Sequence, residues 1–382
     1  MLKRLYILLS SGLLLLNAST AFSQKDTCRF ILIDTASHSI TANYYLASNI
    51  NQWNPADSLF RFKKEANGII ALQCIFDKDT NLKFKITKGS WDKSECSKSG
   101  GDISNRQLRT DTAKSETFFV QNWKDNFPAK PKQHTASSNV HIIDTAFYMP
   151  QLNRTKRIWI YLPKGYATNG KHYPVMYMHD GQNLFDELTS GYGEWGIDEC
   201  LDSLIKKGTP GCIIVGIDCG PKRMNEYNPY DTKRFGAGEG DLYVNFLVQT
   251  LKPYIDSHYR TLPKKKNTII AGSSMGGLIS YYAILKHPDV FGKAGIFSPS
   301  FWIAHPLKQL TDSLGNKLTN HSKLYFYVGG QEDNADRDML DMIDELHKKS
   351  RVRYIYDIDP NGKHNERAWR KYFPMFYKWI MK

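Results

Sequence analysis

Long hydrophobic runs are scarce in this sequence of 382 residues. The apolar stretch at residues 5–16 is shorter than the roughly 20 residues that a transmembrane helix needs, and no later stretch is long enough. Cysteine is also sparse: six cysteines show no zinc-site spacing, and their disulfide connectivity cannot be read from the sequence. A hydrophobic content of 41% and a charged content of 23% predict a packed core.

Positive charge is abundant, but it is not concentrated. The formal net charge of +13 first suggests a nucleic-acid partner. The lysines are scattered, however, and the one dense run, Lys264-Lys265-Lys266, precedes a predicted core strand. We therefore expect no nucleic-acid partner, and attraction to acidic polysaccharide or a cell surface fits such a charge better.

The first residues predict export. Lys3 and Arg4 precede the apolar stretch 5–16, and Ala21-Phe22-Ser23 supplies the small residues typical of a signal-peptidase site. We predict a signal peptide at 1–23 and a periplasmic or extracellular protein without a membrane span. Export makes disulfides possible.

Composition changes along the chain predict two domains. Residues 24–126 contain short segments rich in β-branched and aromatic residues, which predict a small all-β sandwich. Residues 127–139 have the proline-containing, polar composition of a linker. In residues 140–382, predicted strands and helices alternate, which indicates an α/β domain with a doubly wound, mostly parallel sheet.

The segment Gly272-Ser273-Ser274-Met275-Gly276 predicts a nucleophile. This Gly-x-Ser-x-Gly pattern directly follows an apolar run and precedes a helix-like run. A strand, a sharp turn and a helix raise the serine hydroxyl above the sheet, as in the nucleophile elbow of an α/β-hydrolase. We therefore predict Ser274 as the nucleophile.

A serine nucleophile needs a base and an acid that orients the base. In this fold the chain order is serine, acid, histidine. His364 lies between the last predicted strand and the last predicted helix, which makes it the predicted base. Glu332 and Asp333 follow an earlier strand; we prefer Glu332 as the acid, since Asp333 is well suited to cap the next helix.

The oxyanion hole requires two backbone N–H groups. We predict that they belong to Met275, directly after the nucleophile, and to Gln182, in the loop after an earlier strand. His179 precedes the nucleophile and is interpreted as structural packing beneath the hole. No cofactor or metal is required. Trp195, Arg223 and Trp302 are candidate substrate-binding residues, with core packing or loop support as the alternatives.

Residues 140–382 resemble the putative esterase (esterase D) family, which includes feruloyl and acetyl xylan esterases, siderophore esterases, S-formylglutathione hydrolases and mycolyltransferases. The resemblance implies an α/β-hydrolase with Ser274 and His364 in its triad, whereas Glu332 stands where many relatives have aspartate. The matching segments are HDGQNLFD at 179–186, GEWGIDE at 193–199, YRTLP at 259–263, AGSSMGGLISYYA at 271–283, SPSFW at 298–302, GGQED at 329–333 and GKHNERAW at 362–369.

The first domain resembles, more loosely, a starch-binding-type carbohydrate-binding module. The segments YLASNINQWNPAD at 45–57 and LKFKITKGSWDKSE at 82–95 carry this resemblance. It implies that Trp91, and after it Trp53, could stack on sugar rings, while Trp123 fills the core. Such domains also serve as spacers or as lids over a substrate pocket.

The resulting functional hypothesis is an exported serine carboxylic ester hydrolase that removes acetyl or feruloyl groups from carbohydrate. A siderophore esterase with the same catalytic groups is the main alternative. Acyl transfer to a sugar, or glycan binding by a scaffold that has lost catalysis, would be further possibilities for this sequence.

Overall fold

The computed structural model describes residues 25–36, 42–111, 114–127, 131–233 and 235–382. The predicted signal peptide, 1–23, lies outside the described residues. The chain divides into two compact units, Met1–Pro131 and Lys132–Lys382, with the division inside the segment predicted as a linker. Within the described part of the chain, no helix combines the length and the apolarity that a bilayer crossing requires.

The described residues of the first unit form nine strands. Their bounds are β1 Lys25–Asp34, β2 Tyr45–Ser48, β3 Lys63–Lys64, β4 Ile70–Asp77, β5 Asn81–Thr87, β6 Glu95–Cys96, β7 Arg106–Arg109, β8 Ser115–Val120 and β9 Asn122–Trp123. One sheet has the strand order β3-β4-β1-β8, a second sheet has the order β2-β5-β7, and β6 pairs with β9.

The alternation of side chains along these strands creates the core of the first unit. Every second residue of the central part of β1, including Phe30, is buried. The Phe30 ring packs edge-on against Phe84 of the second sheet, with 5.6 Å between ring centroids. Trp123 is fully buried, as predicted. The predicted all-β domain is thus confirmed.

The second unit contains eight strands and eight α-helices among its described residues. The strands are β10 Val140–Met149, β11 Arg154–Tyr161, β12 Val175–His179, β13 Ile213–Ile217, β14 Thr268–Ser273, β15 Lys293–Phe297, β16 Lys323–Gly329 and β17 Arg353–Asp359. The helices are α1 Ile197–Lys206, α2 Arg223–Glu226, α3 Gly240–Phe246, α4 Lys252–His258, α5 Met275–Lys286, α6 Pro306–Leu314, α7 Ala335–Lys349 and α8 Glu366–Met381.

These eight strands form one sheet in the order β10-β11-β13-β12-β14-β15-β16-β17. The pairs β10–β11 and β11–β13 are antiparallel, and all the others are parallel. The predicted α/β-hydrolase architecture is therefore confirmed. Because neighbouring parallel strands end at the same edge, the segments that follow β12, β14, β15, β16 and β17 are brought together there.

Burial explains why the central strands read as continuous apolar runs. Every residue of β13, β14 and β16 is buried, because helices cover both faces of the sheet. Helix α5 is apolar all round, and all its residues except Lys286 are buried. The elbow that precedes α5 is thus anchored in the most enclosed part of the fold.

Candidate active site

Ser274 occupies a strained turn between β14 and α5. Its φ of 60° and ψ of −122° are rarely adopted by a residue with a side chain. The turn is tight enough that a Cβ added to Gly272 would lie 2.9 Å from both the backbone of Gly276 and the His179 ring. Strain of this kind persists only where the surroundings enforce it, and it is frequent at catalytic residues.

The predicted base and acid meet at the carboxyl edge of the sheet. His364 Nδ1 lies 2.7 Å from Glu332 Oε2. The Glu332 side chain is 3% exposed, whereas that of His364 is 45% exposed. Asn334, rather than Asp333, occupies the N-cap position of α7, and it makes no side-chain capping bond. The arrangement leaves the imidazole oriented by Glu332 and open to a substrate.

The nucleophile itself contacts a different hydroxyl. Ser274 Oγ lies 3.3 Å from Ser300 Oγ, and the Ser300 N–H donates to the Ser274 carbonyl oxygen. Among the described residues, no hydrogen bond joins Ser274 to His364. Such catalytic contacts are often long before substrate binds and tighten in the reacting complex.

The two predicted oxyanion donors lie at the starts of two helical turns. Gln182 is the middle residue of the 3-10 turn Gly181–Asn183, and Met275 is the first residue of α5. The first N–H groups of such turns have no acceptor within the turn. The two turns are neighbours, since Asp180 Oδ2 would lie 3.5 Å from a Cβ on Gly276.

The oxyanion loop, residues 180–186, is fastened to the end of β13. The Gln182 side chain accepts a hydrogen bond from the Cys219 N–H at 3.1 Å, and its Nε2 lies 3.1 Å from Cys219 Sγ. A Cβ on Gly181 would lie 2.8 Å from the carbonyl carbon of Gly216, so only glycine fits there. The side chain of Gln182 therefore anchors the loop, and its backbone N–H stays a candidate oxyanion donor.

His179 fills the space beneath this loop, as the sequence predicts. Its ring is buried between Tyr227 and Tyr243, and Nδ1 lies 2.9 Å from the Tyr243 hydroxyl. Burial lowers the pKa of His179 to about 3. The imidazole is therefore neutral at ordinary pH and acts as an uncharged packing group.

The three candidate substrate-binding residues lie in different surroundings. Trp195 is buried and packs against Phe297 and Trp369, which fits the alternative of core packing, because loop 193–196 folds inward onto α8. Arg223 makes a bidentate ion pair with Asp180, at 2.7 and 2.8 Å, and so supports the oxyanion loop. Trp302 is half exposed, two residues after Ser300, and remains a candidate.

In the first unit, the two tryptophans predicted to bind glycan lie side by side. The ring centroids of Trp53 and Trp91 are 6.4 Å apart, with an interplanar angle of 41°. Trp91 is 41% exposed, and Trp53 adopts a positive φ of 60° in a turn. Together the two rings present an aromatic surface, whereas Trp123 is buried and donates its Nε1–H to Asp34 Oδ2 at 2.8 Å.

Residues 132–139, here called the strap, were predicted as linker but lie against the second unit. The Thr135 hydroxyl accepts a hydrogen bond from the Glu187 N–H at 2.8 Å and donates to Glu194 Oε1 at 2.9 Å. The Ser137 N–H donates to Asp198 Oδ2 at 2.6 Å. Sequence reasoning missed these contacts because the strap has the composition of a flexible segment.

One acidic cluster could in principle hold a cation. Carboxylate oxygens of Glu194, Asp198 and Glu199 lie within 4.8 Å of one another, and burial with the Asp198 charge raises the pKa of Glu199 to about 7. Arg370 already lies 3.5 Å from Glu194, and the cluster sits at the start of α1, where the helix dipole favours negative charge. The cluster therefore has cationic and dipolar compensation of its own.

Two further polar residues escaped the sequence analysis, although both lie in quoted motifs. Asn183 Nδ2 donates to Glu366 Oε1 at 3.3 Å, which joins the oxyanion loop to the start of α8. Burial raises the pKa of Glu366. The signal was present in the segments 179–186 and 362–369, but a single sequence does not show that they meet.

Comparison with known proteins decides the family. The sequence profile of the Putative esterase family matches residues 150–379, more than half of the chain. The chain belongs to the Putative esterase family. It is a serine esterase, and its fold and Gly-x-Ser-x-Gly elbow agree with that assignment.

Two curated relatives show what the chain resembles. The chain is similar to the uncharacterized protein YbbA of Bacillus subtilis, with 25% identity over 242 residues, 59% of this chain and 92% of YbbA. It is 28% identical over 172 residues to an endo-1,4-beta-xylanase/feruloyl esterase of Xylanibacter ruminicola, which covers 44% of this chain and 23% of that protein.

A solved structure extends the likeness over both units. The enterobactin esterase FES of Shigella flexneri, in the presence of enterobactin, matches with a TM-score of 0.53 and 15% identity over 93% of this chain and 92% of FES. At this identity the likeness shows a shared fold. Feruloyl and siderophore esterases therefore both lie among the relatives of this chain.

Proposed function

We propose that the protein is an exported esterase that removes acetyl or feruloyl groups from carbohydrate through an acyl-enzyme. The observation that carries ester hydrolysis is the 2.7 Å contact of Glu332 with His364 at the sheet edge where the Ser274 elbow also lies. A buried carboxylate fixes the imidazole tautomer, so that Nε2 can accept the serine proton.

The reaction follows from these positions. Ser274 Oγ attacks the acyl carbonyl while His364 takes its proton, and the carbonyl oxygen becomes an oxyanion near the N–H groups of Gln182 and Met275. His364 then protonates the leaving sugar oxygen, which leaves an acyl group on Ser274. In the second half, His364 takes a proton from water, which attacks the acyl-enzyme; His364 then returns this proton to Ser274 Oγ as the acid leaves.

Support for a carbohydrate substrate comes from two observations. The relative in Xylanibacter ruminicola is named as a xylanase and feruloyl esterase. In the first unit, the neighbouring rings of Trp53 and Trp91, tilted by 41° to each other, offer aromatic faces of the kind on which sugar rings stack. Trp302, half exposed near Ser300, would line the acyl or sugar subsite.

Siderophore hydrolysis is the second candidate. It is favoured by the likeness to FES, which extends over the β-rich first unit as well as the hydrolase unit. The catalytic groups would be the same, because a siderophore triester also reacts through an acyl-enzyme. The predicted export signal and the Trp53–Trp91 surface favour carbohydrate over this alternative.

The test is acyl release by the purified protein and its Ser274→Ala variant from acetylated xylan, methyl ferulate, para-nitrophenyl acetate and a ferric catecholate triester. We expect release from the xylan or the ferulate that disappears in the variant. Activity confined to the catecholate would transfer the assignment to siderophore hydrolysis. No release from any ester by the folded protein would contradict the proposal and favour acyl transfer or glycan binding.

Glycan binding by the first unit needs its own test. The affinity of the full chain for insoluble xylan or starch should decrease at least about fivefold in Trp91→Ala, since an aromatic stacking contact contributes on the order of 1 kcal/mol. Leu59→Ala, an exposed apolar residue of the same unit, is the matched control. Equal retention of wild type and Trp91→Ala would show that this surface does not bind these glycans.

A further inference from the structure

Ser298 has an unusual backbone for a buried serine. It directly follows β15, is 1% exposed and has a positive φ of 43°. Its N–H donates to the Tyr327 carbonyl oxygen at 2.6 Å. A residue with a side chain adopts this conformation only at a free-energy cost, so the surrounding contacts must enforce it.

The hydroxyl of Ser298 is directed at the catalytic acid. Ser298 Oγ lies 2.7 Å from Glu332 Oε1, which also accepts the Gly329 N–H at 2.7 Å. Glu332 Oε2 is left for His364, at 2.7 Å. One carboxylate oxygen thus receives two donors from the scaffold, and the other receives the catalytic imidazole.

The direction of the Ser298 bond is settled by Trp369. The indole Nε1–H lies 2.8 Å from Ser298 Oγ, and an indole N–H can only donate. Ser298 Oγ therefore accepts from Trp369 and has its single proton left for Glu332. The rings of Trp369 and His364 also form a T-shaped contact, with 5.2 Å between centroids and 85° between planes.

We propose that Ser298 is a positioning residue for ester hydrolysis, oriented by Trp369, which holds Glu332 so that Glu332 can orient His364. The inference rests on the proposed function, because it assigns a task within that active site. A glutamate has one more rotatable bond than an aspartate, and its carboxylate needs an additional donor to stay in one place. The strained backbone of Ser298 aims that donor.

The first test is the Ser298→Ala variant of the full chain, assayed with para-nitrophenyl acetate. We expect kcat to fall about 10- to 100-fold with KM changed less than about twofold, since the loss of a supporting hydrogen bond at a catalytic group acts through orientation. Ser322→Ala, which removes a buried hydroxyl at the opposite edge of the sheet, should keep the wild-type kcat.

Ser298→Gly separates positioning from folding. Glycine adopts a positive φ without strain, so this variant should have a higher Tm than Ser298→Ala and an equally low kcat. Recovery of kcat in Ser298→Gly would mean that the serine serves the fold alone, and it would overturn the inference.

Trp369→Phe tests the orientation of the hydroxyl. It removes the N–H donor and keeps a ring near His364, so kcat should fall less than in Ser298→Ala. The double variant should be no slower than Ser298→Ala, because both changes act through the same hydrogen bond. If the losses in kcat of the two single variants added up in the double variant, Trp369 and Ser298 would act independently, which would contradict the proposed hydrogen-bond chain.

A spectroscopic readout keeps the inference testable without turnover. The proton between His364 Nδ1 and Glu332 should give a downfield proton NMR signal that is lost in Glu332→Gln and broadened or shifted in Ser298→Ala. If the wild-type protein hydrolysed none of the esters but the variants changed the NMR signal in this way, the proposed function would be contradicted and the positioning role supported. A signal unchanged in Ser298→Ala, or a kcat within twofold of wild type, would overturn the positioning role.

Discussion

On one side of the active site Glu332 receives hydrogen bonds from Ser298, Gly329 and His364, all at 2.7 Å. On the other side, Ser274 Oγ meets one hydroxyl among the described residues, that of Ser300 at 3.3 Å. The acid–base side is complete without substrate, whereas the nucleophile side has groups left to engage one. An acyl-transfer site requires a base that is held in one orientation and a nucleophile whose surroundings can still bind the substrate.

The largest effect on kcat is expected on the nucleophile side. Ser274→Ala removes the attacking oxygen and should lower kcat for para-nitrophenyl acetate by at least about 10⁴-fold, because loss of a triad nucleophile removes the acyl-enzyme route. Steady-state assays at equal protein concentration, with the fold of both proteins checked by circular dichroism, would measure it. Residual turnover within 100-fold of wild type would show that another group attacks the ester.

On the acid–base side, kcat should depend strongly on the charge of Glu332. Glu332→Gln keeps the size of the side chain but removes the carboxylate that stabilises the imidazolium, so kcat should fall about 10³-fold. Asp333→Asn changes the neighbouring carboxyl and is the matched control, with kcat near wild type. If the two variants exchanged these effects, Asp333 would be the acid.

Beneath the oxyanion loop, the pH dependence of stability reports on His179. Burial holds its folded pKa at about 3, below the unfolded value of 6.5, so the unfolded chain binds the extra proton as the pH falls. The free energy of unfolding should therefore decrease by roughly 3 kcal/mol between pH 7 and pH 4 from this residue alone. Urea unfolding of wild type and His179→Gln at both pH values measures it.

His179→Gln keeps a hydrogen-bonding side chain but does not titrate. Its free energy of unfolding should change less than that of wild type over the same range. Parallel behaviour of the two proteins would mean that His179 is already protonated, or accessible to protons, in the folded state.

The smallest of these effects distinguishes backbone from side chain in the oxyanion loop. Gly181→Ala forces the loop away from Gly216 and should lower kcat about 10²-fold, comparable to the loss of one oxyanion donor. Gln182→Ala keeps the donating N–H and loses only the Cys219 anchor, so kcat should fall less than about tenfold. A larger loss in Gln182→Ala than in Gly181→Ala would place the donor on the side chain.

The sequence predicted those features that depend on local pattern. The elbow at Ser274 is encoded by small residues between a buried strand and an apolar helix. His364 stands out among the histidines after Ser274 because it lies between the last predicted strand and the last predicted helix. The choice between Glu332 and Asp333 could not be made with certainty, because neighbouring residues share one loop. In the structure, the long-range contacts from Ser298 and His364 involve Glu332.

Other features depend on tertiary contacts that composition conceals. Trp195 lies in a glycine-rich segment typical of an exposed loop, yet its ring packs on Trp369, which is 174 residues away by number. The strap reads as linker from its polar, proline-containing composition, although its backbone and the side chains of His134, Thr135 and Asn139 hydrogen-bond to residues far along the chain. Neither arrangement leaves a periodic signal in the sequence.

The central claim is that Ser274, activated by His364 and Glu332, forms an acyl-enzyme. It is tested most directly by trapping this intermediate. Wild-type protein would be mixed with para-nitrophenyl acetate, quenched in acid within the first turnover, and analysed by intact and peptide mass spectrometry. The account predicts one acetyl group on the peptide that contains Ser274, absent in Ser274→Ala and strongly reduced in Glu332→Gln. An acetyl group on another residue, or equal labelling of the Ser274→Ala variant, would contradict it.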